Sequence, residues 1–180
     1  MSAAARIHIT GASGSGVTTL GRALAKRFEA PQFDVDDFYW LPTDPPFVEA
    51  RPVASRLELL GECLAASSWI LSGSLVGWGD PLITLFDLVV FVYTPTEVRL
   101  ARLKAREAAR YGAAIEPGGA MHQHSQAFLA WAARYDDPDF DGRSLAVHNR
   151  WLERLPASVL RLDGLTPMTA QADAVVARIG

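Results

Sequence analysis

The sequence of 180 residues lacks the features that mark several classes of protein. Its single cysteine, Cys63, excludes an internal disulfide and a cysteine-based zinc site within one chain. No segment approaches the ~18 consecutive apolar residues of a membrane span. Residues 1–9 also lack the apolar core of a secretory signal, and we therefore expect a cytoplasmic protein with no membrane partner.

The chain also lacks a large excess of charge of either sign. Its 17 basic and 20 acidic residues give a formal net charge of −3, which provides no general attraction to nucleic acid. Hydrophobic residues make up 49% and charged residues 21%, as in ordinary globular proteins. We therefore expect a single domain over residues 1–180 and no nucleic-acid partner.

Lysine is scarce, with only Lys26 and Lys104, and it is missing from a glycine-rich segment where one is expected. This segment lies between a strand-like run, residues 6–10, and a helical pattern. Glycines let backbone N–H groups converge on an anion, and the helix start adds further unpaired donors. The spacing fits the phosphate-loop pattern G-x-x-x-x-G-K-[ST], except that Val17 stands at the lysine position. The predicted phosphate-binding residues are Gly11, Ala12, Ser13, Gly14, Ser15, Gly16, Val17, Thr18 and Thr19.

The missing lysine limits what this loop can do alone. In a phosphate loop the lysine reaches the β- and γ-phosphates, while the Ser/Thr hydroxyl, here that of Thr18, binds Mg²⁺. Loss of one preorganised donor typically costs ~10²–10³ in rate. Another cation must therefore replace the lysine, or turnover is slow. The alternative is an ordinary Gly/Ser turn before a helix.

Two carboxylates are expected near this loop. Residues 32–36 read as a short second strand, in which Asp34 and Asp36 share one face because they are two positions apart. Open parallel sheets bind ligands where their strands end. These carboxylates can hold Mg²⁺ or accept a proton from an acceptor hydroxyl. The adjacent Asp37 is equally well interpreted as a helix or turn cap.

Four arginines share one face of a predicted helix over residues 96–111. Steps of three, four and four residues place them on one stripe: Arg99, Arg102, Arg106 and Arg110. The stripe is either a solvated helix face with partners such as Glu107 or a clamp on a transferred phosphate. In the second case Arg102 and Arg106 supply the charge that Val17 does not. The glycines at 118 and 119 then suit the hinge of a lid.

The remaining pattern alternates strands with helices. Further strands are predicted at residues 69–74, 87–93 and 158–164, and helices at about 53–66, 121–134, 144–155 and from Thr166-Pro167 to Ile179. A proline-rich loop covers residues 41–52. His122 and His124 have no third ligand at a suitable spacing, so we expect no metal site there. This alternation implies a three-layer α/β/α fold with a parallel sheet.

With these motifs the chain resembles the P-loop kinases of the nucleoside monophosphate kinase and shikimate kinase group over nearly its whole length. The loop at residues 11–19 matches theirs apart from Val17, and Asp34-Val35-Asp36 resembles the D-x-D after the second strand of shikimate-type kinases. Residues 36–39, Asp-Asp-Phe-Tyr, resemble the D-D-F-Y or D-S-F-Y of uridine and nicotinamide riboside kinases. The run at residues 69–74 is similar to the third strand of bacterial adenylate-kinase-related, topology-modulation-kinase-like proteins.

This resemblance implies a five-stranded parallel sheet ordered 2-3-1-4-5, a helical lid over about residues 99–143, and ATP with Mg²⁺ as cofactors. It implies that Asp36 acts as the base and that Arg102 and Arg106 are lid arginines. It places Thr18, Asp34 and Asp36 at the metal, and Gly164, Leu165 and Thr166 at the adenine. It also implies a monomer or at most a weak dimer.

The leading functional hypothesis is ATP-dependent phosphoryl transfer to a nucleotide or another small hydroxyl-bearing metabolite. Because of Val17, the alternative is a catalytically weak or inactive nucleotide-binding regulator derived from a kinase. A short-chain dehydrogenase is disfavoured, since the glycines at 11, 14 and 16 do not fit G-x-G-x-x-G and no Tyr-x-x-x-Lys pair is present.

Overall fold

The computed structural model describes residues 5–180 and contains one parallel β-sheet. The prediction about a secretory signal concerns in part residues 1–4, which lie outside this range. The sheet has the order β2-β3-β1-β4-β5, and every neighbouring pair of strands is parallel. The predicted strand order and the parallel sheet are therefore confirmed. The strands are β1 (Arg6–Gly11), β2 (Gln32–Asp34), β3 (Trp69–Ser72), β4 (Leu88–Tyr93) and β5 (Ser158–Asp163).

Seven α-helices of the described residues connect and cover these strands. They are α1 (Val17–Phe28), α2 (Val35–Tyr39), α3 (Val53–Cys63), α4 (Thr96–Tyr111), α5 (His122–Ala133), α6 (Leu145–Leu152) and α7 (Met168–Ile179). Short 3₁₀ turns lie at Asp80–Leu85, Gly112–Ile115 and Arg134–Asp136. Among residues 5–180 no helix has the length and apolar character needed to cross a membrane.

The central strands bury both of their faces, which produces two apolar cores. In β4, Val89 and Phe91 contribute to a core that also contains residues of α3 and α6. Leu88 and Val90 contribute to the other core, which contains residues of α1 and α7. Successive side chains of a strand point to opposite faces, so a continuous apolar run is what a strand covered on both sides requires.

The second strand is shorter than the sequence pattern predicts. It ends at Asp34, and the chain turns at once into α2. The cause is a helix cap, because the Asp34 side chain accepts a hydrogen bond from the backbone N–H of Asp36 at 3.0 Å. The expectation that Asp34 and Asp36 share one face of a strand is therefore wrong, and so is the cap role offered for Asp37.

The other predicted elements are present with small differences at their ends. Helix α3 stops at Cys63 instead of residue 66, and α6 covers Leu145–Leu152 instead of residues 144–155. At the last helix Pro167 is the N-cap residue and not the first helical residue. These shifts lie at helix ends, where side-chain caps and local turns decide the boundary.

Candidate active site

The glycine-rich loop joins the end of β1 to the start of α1 and lines a first cavity of about 220 Å³. Gly14 and Gly16 have φ angles of 83° and 99°, in the left-handed region that favours glycine. A Cβ atom on Gly14 would lie 2.9 Å from the carbonyl oxygen of Arg99. The loop backbone therefore packs directly against α4, and a side chain at Gly14 would prevent this contact.

Buried polar side chains bind the backbone carbonyl groups of the loop. Arg99 is fully buried, and its Nη1 donates to the carbonyl oxygens of Ser13, at 3.5 Å, and Ala132, at 3.2 Å. Thr94 Oγ1 donates to the carbonyl oxygen of Ser15 at 3.2 Å. Arg99 is thus a scaffold residue that connects the loop to the start of α4 and the end of α5. It is not an exposed member of the arginine stripe.

One group in the loop has no partner and fits a phosphate. The Ser15 hydroxyl is buried and makes no hydrogen bond within residues 5–180. A buried donor without a partner costs about 1–3 kcal/mol, and a bound anion would remove this cost. Together with the left-handed glycines and the start of α1, this orphan hydroxyl makes the loop suitable for a nucleotide phosphate.

Three guanidinium groups border the cavity where Val17 replaces lysine. Arg102 Nη1 donates to the carbonyl oxygen of Gly14 at 3.2 Å, and Arg106 lines the same cavity. Arg143 also lines it, and its Nη2 donates to Ser13 Oγ at 2.7 Å. The Nε of Arg143 is buried and has no partner among the described residues. The two arginines singled out by sequence therefore lie at the loop, with a third beside them.

Arg143 was missed by the sequence reasoning. It ends an acidic turn, residues 136–143. Nothing in its local spacing indicates a site. The chain runs through α4 and α5 before it returns to the loop, and a contact between residues 130 positions apart leaves no local pattern.

The acidic side of the cavity contains the predicted metal-binding residues. Thr18 Oγ1 donates to Asp34 Oδ2 at 2.9 Å, and Asp36 also lines the cavity. Within residues 5–180 no cluster of three or more His, Cys, Asp and Glu side chains could hold a metal by itself. This arrangement fits Mg²⁺, which usually takes one or two protein ligands and completes its shell with water and substrate phosphates.

Asp36 has an unusual electrostatic environment. Enclosure by the cavity walls raises its pKa, and the nearby Asp34 carboxylate raises it further. The guanidinium groups of Arg143, Arg106 and Arg110 act in the opposite direction, but the net shift is upward. A carboxylate with a raised pKa is a better proton acceptor than one with an ordinary pKa.

A second and larger cavity, of about 760 Å³, opens beside the first. Five residues line both cavities and form the wall between them: Ser13, Asp36, Ser74, Arg106 and Arg143. The rest of the second cavity is rich in aromatic side chains, which are Tyr39, Trp40, Phe47, Trp78, Tyr111, Phe128 and Trp131. The proline-rich loop and the lid region thus contribute to one space next to the phosphate loop.

Other residues singled out by sequence lie elsewhere. The segment of Gly164, Leu165 and Thr166 follows β5 and lines neither cavity. Gly164 packs against Thr94, the residue that holds the loop carbonyl of Ser15. The adenine contact assigned to this segment stays a prediction.

The two histidines at the start of α5 have different surroundings. His122 Nδ1 lies 2.7 Å from the carbonyl oxygen of Ile115, whereas His124 lines the second cavity. Neither belongs to a metal cluster among the described residues.

Comparison with known proteins shows the family of this chain and solved structures that share its fold. A family model described as AAA domain matches residues 7–116. The uncharacterized protein YqaC of Bacillus subtilis (strain 168) is 42% identical over 171 residues, which cover 94% of this chain and 94% of that protein.

Two solved structures share the fold at low sequence identity. A gluconokinase from Sinorhizobium meliloti 1021 is 19% identical with a TM-score of 0.52, covering 97% of this chain and 93% of its own. A shikimate kinase from Acinetobacter baumannii, solved in complex with shikimate, is 15% identical with a TM-score of 0.60. The match covers 99% of this chain and 94% of that chain. The family model and the strand order assign the chain to the AAA-domain family, and the two solved kinase structures show that it shares their fold.

Proposed function

We propose that this protein transfers the γ-phosphoryl group of ATP to a hydroxyl group of a small-molecule acceptor. The observation that most supports this proposal is the wall shared by the two cavities. Asp36, Arg106 and Arg143 border both the phosphate loop and the larger aromatic space. A donor phosphate in the first cavity and an acceptor in the second would therefore meet at a carboxylate and two guanidinium groups.

In this proposal the first cavity holds the phosphates of ATP. The backbone N–H groups of the loop and the start of α1 bind the anion. Thr18 and Asp34 would hold Mg²⁺, which would neutralise phosphate charge and orient the transferred group. Gly164, Leu165 and Thr166 would contact the adenine, and the apolar side chain of Leu165 is 55% exposed and available for this.

Asp36 then receives the proton of the acceptor. The hydroxyl oxygen forms a new bond to the γ-phosphorus, the bond from that phosphorus to the bridging oxygen breaks, and ADP leaves. The hydroxyl proton passes to Asp36 and from there to solvent. The raised pKa of Asp36 suits this role, because its proton affinity lies closer to working pH than that of an ordinary carboxylate.

Arginines replace the missing lysine in this proposal. Arg102 already contacts the loop carbonyl of Gly14, and Arg106 and Arg143 border the same cavity. Guanidinium groups bind phosphate oxygens in a bidentate manner and remain charged at all relevant pH values. Closure of the lid, about residues 99–143, would bring the three groups around the γ-phosphate.

The first experiment is a calorimetric titration of the purified protein with Mg-ATP and with Mg-ADP. Micromolar binding is expected if the loop functions without its lysine, and absence of binding at millimolar nucleotide would contradict the proposal. ADP release in the presence of candidate acceptors then measures transfer.

Val17 is the observation that favours a second candidate, a nucleotide-binding regulator that transfers nothing. This candidate expects tight nucleotide binding with no phosphorylated product from any acceptor over long incubation. Efficient formation of one phosphorylated product would eliminate it.

A further inference from the structure

We propose that the acceptor is a planar aromatic ring compound that carries an anionic group, either a phosphate or a carboxylate. This inference rests on the proposed function, since it assigns the second cavity to the acceptor. It distinguishes the acceptor of this protein from non-aromatic hydroxy acids, which offer hydroxyl groups and an anion but no flat face for stacking.

The walls of the second cavity favour a flat ring. Phe128 and Trp131, one helical turn apart on α5, stack with ring centroids 6.1 Å apart and planes inclined by 23°. Both are only half-buried and line the cavity, as do Tyr39 and Trp40 at the end of α2. A ring ligand gains stacking energy on such faces, whereas a polyol would desolvate them without compensation.

The charges that line this cavity favour an anion. Four arginines and two carboxylates give an excess of two positive charges, in a chain whose net charge is −3. Glu107 lies 3.7 Å from Arg110 and partly neutralises it. Arg106 and Arg143 form no ion pair within the part of the chain that the structure describes. These two guanidinium groups are therefore available to an anionic acceptor at the shared wall.

The cavity also has a suitable volume, and contacts between the proline-rich loop and α4 fix part of its wall. Its volume of about 760 Å³ lies within the range of small-molecule sites. The Tyr111 hydroxyl donates to the carbonyl oxygen of Pro46 at 3.0 Å, and the Arg110 guanidinium lies 4.2 Å from the centre of the Phe47 ring. These contacts fasten the proline-rich loop to α4, so the aromatic wall exists before a ligand binds.

Tryptophan fluorescence can measure binding in this cavity directly. Three of the five tryptophans line it, namely Trp40, Trp78 and Trp131, and a stacked ring quenches their emission. The probes are the four nucleoside 5′-monophosphates for the phosphate arm and 4-hydroxybenzoate for the carboxylate arm. The controls are ribose 5-phosphate, which lacks the ring, adenosine, which lacks the anion, and shikimate and gluconate, which lack an aromatic ring.

We expect at least one probe with both a ring and an anion to bind about 10-fold or more tightly than ribose 5-phosphate, the factor that one stacked ring provides. The arm that binds identifies the anion as phosphate or carboxylate. Binding of shikimate, gluconate or ribose 5-phosphate as tightly as the best ring probe would overturn the inference.

Variants locate the binding site. Trp131→Leu and Arg106→Gln should each weaken binding of that probe about 10-fold, whereas Tyr93→Leu and Arg22→Gln, which alter side chains outside both cavities, should not. Thr18→Ala should leave the binding intact. Loss of quenching in the Thr18 variant would mean that the probe occupies the phosphate loop, which would overturn the inference.

The two proposals fail in different ways. Binding of Mg-ATP without binding of any ring probe leaves the proposed function standing and overturns the inference about the acceptor. Binding of a ring probe in a protein that binds no Mg-ATP supports the assignment of the cavity and contradicts the kinase.

Discussion

Single residues decide whether the phosphate loop of this protein supports chemistry. Val17 removes one positive charge from the loop, while Arg102, Arg106 and Arg143 border the same cavity. Their arrangement differs from that of a lysine within the loop, because two of them stand on α4 and one on a distant turn. The charge at the transferred phosphate would therefore depend on the position of the lid region.

Asp36→Asn tests the proposed proton acceptor. The substitution keeps the size of the side chain and removes its ability to take a proton, so we expect kcat to fall by about 10²–10⁴ with little change in the Kd for Mg-ATP. Steady-state kinetics and calorimetry on the same preparation measure both quantities. Turnover at the wild-type rate would remove Asp36 from the mechanism.

The pH profile provides the internal control for this variant. The wild-type rate should be present above the pKa of Asp36 and should fall as pH drops through it, because the protonated carboxyl cannot accept a proton. Since the pKa is raised, this fall should begin at a higher pH than for an ordinary aspartate. Residual activity of the Asn variant should lack this acidic limb.

Arg102→Gln tests the replacement of the lysine. Arg102 contacts the loop carbonyl of Gly14, and loss of one preorganised cation should lower kcat by about 10²–10³ and weaken Mg-ATP binding. Arg22→Gln is the matched control, since Arg22 is an exposed arginine of α1 that lines neither cavity. Equal kinetics for the two variants would show that Arg102 has no part in phosphate binding.

Among the elements, the packing of the loop against α4 is the contact on which the site depends. Gly14→Ala would place a methyl group about 2.9 Å from the Arg99 carbonyl oxygen, at a residue whose φ is 83°. We expect a loss of about 1–3 kcal/mol in the free energy of unfolding, and weaker nucleotide binding because the loop must shift.

Gly61→Ala is the control for that substitution. Gly61 lies within α3, and a Cβ atom there would meet nothing within 4 Å. Alanine should therefore stabilise this helix by about 0.5–1 kcal/mol. Urea unfolding of both variants measures the difference, and a Gly14 variant as stable as the wild type would mean that the loop does not need its left-handed glycine.

The elements of this fold were largely accessible from the sequence because each has a local cause. The apolar run of β4 and the stepped arginines of α4 are patterns within a few residues, and helix α4 has the predicted bounds. The turn into α2 was not accessible in the same way. Asp34 fits a strand by position and a helix cap by chemistry, and only the structure shows that the cap prevails.

In the candidate site, too, the residues with a local cause could be predicted from the sequence and the others could not. Gly11 to Thr19 and the pair Asp34 and Asp36 lie next to strands, so their spacing alone places them at one end of the sheet. Arg143 and Trp131 reach the site through contacts between distant segments, which leave no periodic signal. The second cavity as a whole therefore could not be predicted, although Arg106 in its wall could.

At the scale of the whole molecule, two buried histidines couple stability to pH. His148 Nε2 lies 3.2 Å from Ser74 Oγ, and its Nδ1 lies 2.7 Å from the hydroxyl oxygen of Tyr135. Burial lowers the pKa of His148 to about 3, with smaller contributions from the positive charge of Arg143 and from His8. Burial also lowers the pKa of His8 to about 3. The nearby backbone of Leu71 raises this pKa and offsets the effect of burial only in part, although it lies outside hydrogen-bonding geometry.

Both histidines are therefore neutral in the folded protein at pH 7, and a fall in pH should lower the free energy of unfolding. Below about pH 6.5 the unfolded chain binds a proton at each histidine, whereas the folded protein does not until about pH 3. The stability that each neutral histidine contributes is complete above pH 6.5 and is lost as pH falls towards 3. The loss amounts to about 1.4 kcal/mol per pH unit for each histidine within that window.

Urea unfolding at pH 7.5 and pH 5.5 checks this prediction. The two histidines together should make the free energy of unfolding about 2–3 kcal/mol lower at pH 5.5. His8→Phe should halve the dependence on pH, because the His8 ring stacks on Phe86 with centroids 5.0 Å apart and neither of its nitrogens has a hydrogen-bond partner among residues 5–180. His124→Asn, at an exposed histidine, should leave the dependence unchanged. Equal stability of the wild type at both pH values would mean that the buried histidines take up protons in the folded protein, and that the polar contacts of His148 beneath the site loosen in acid.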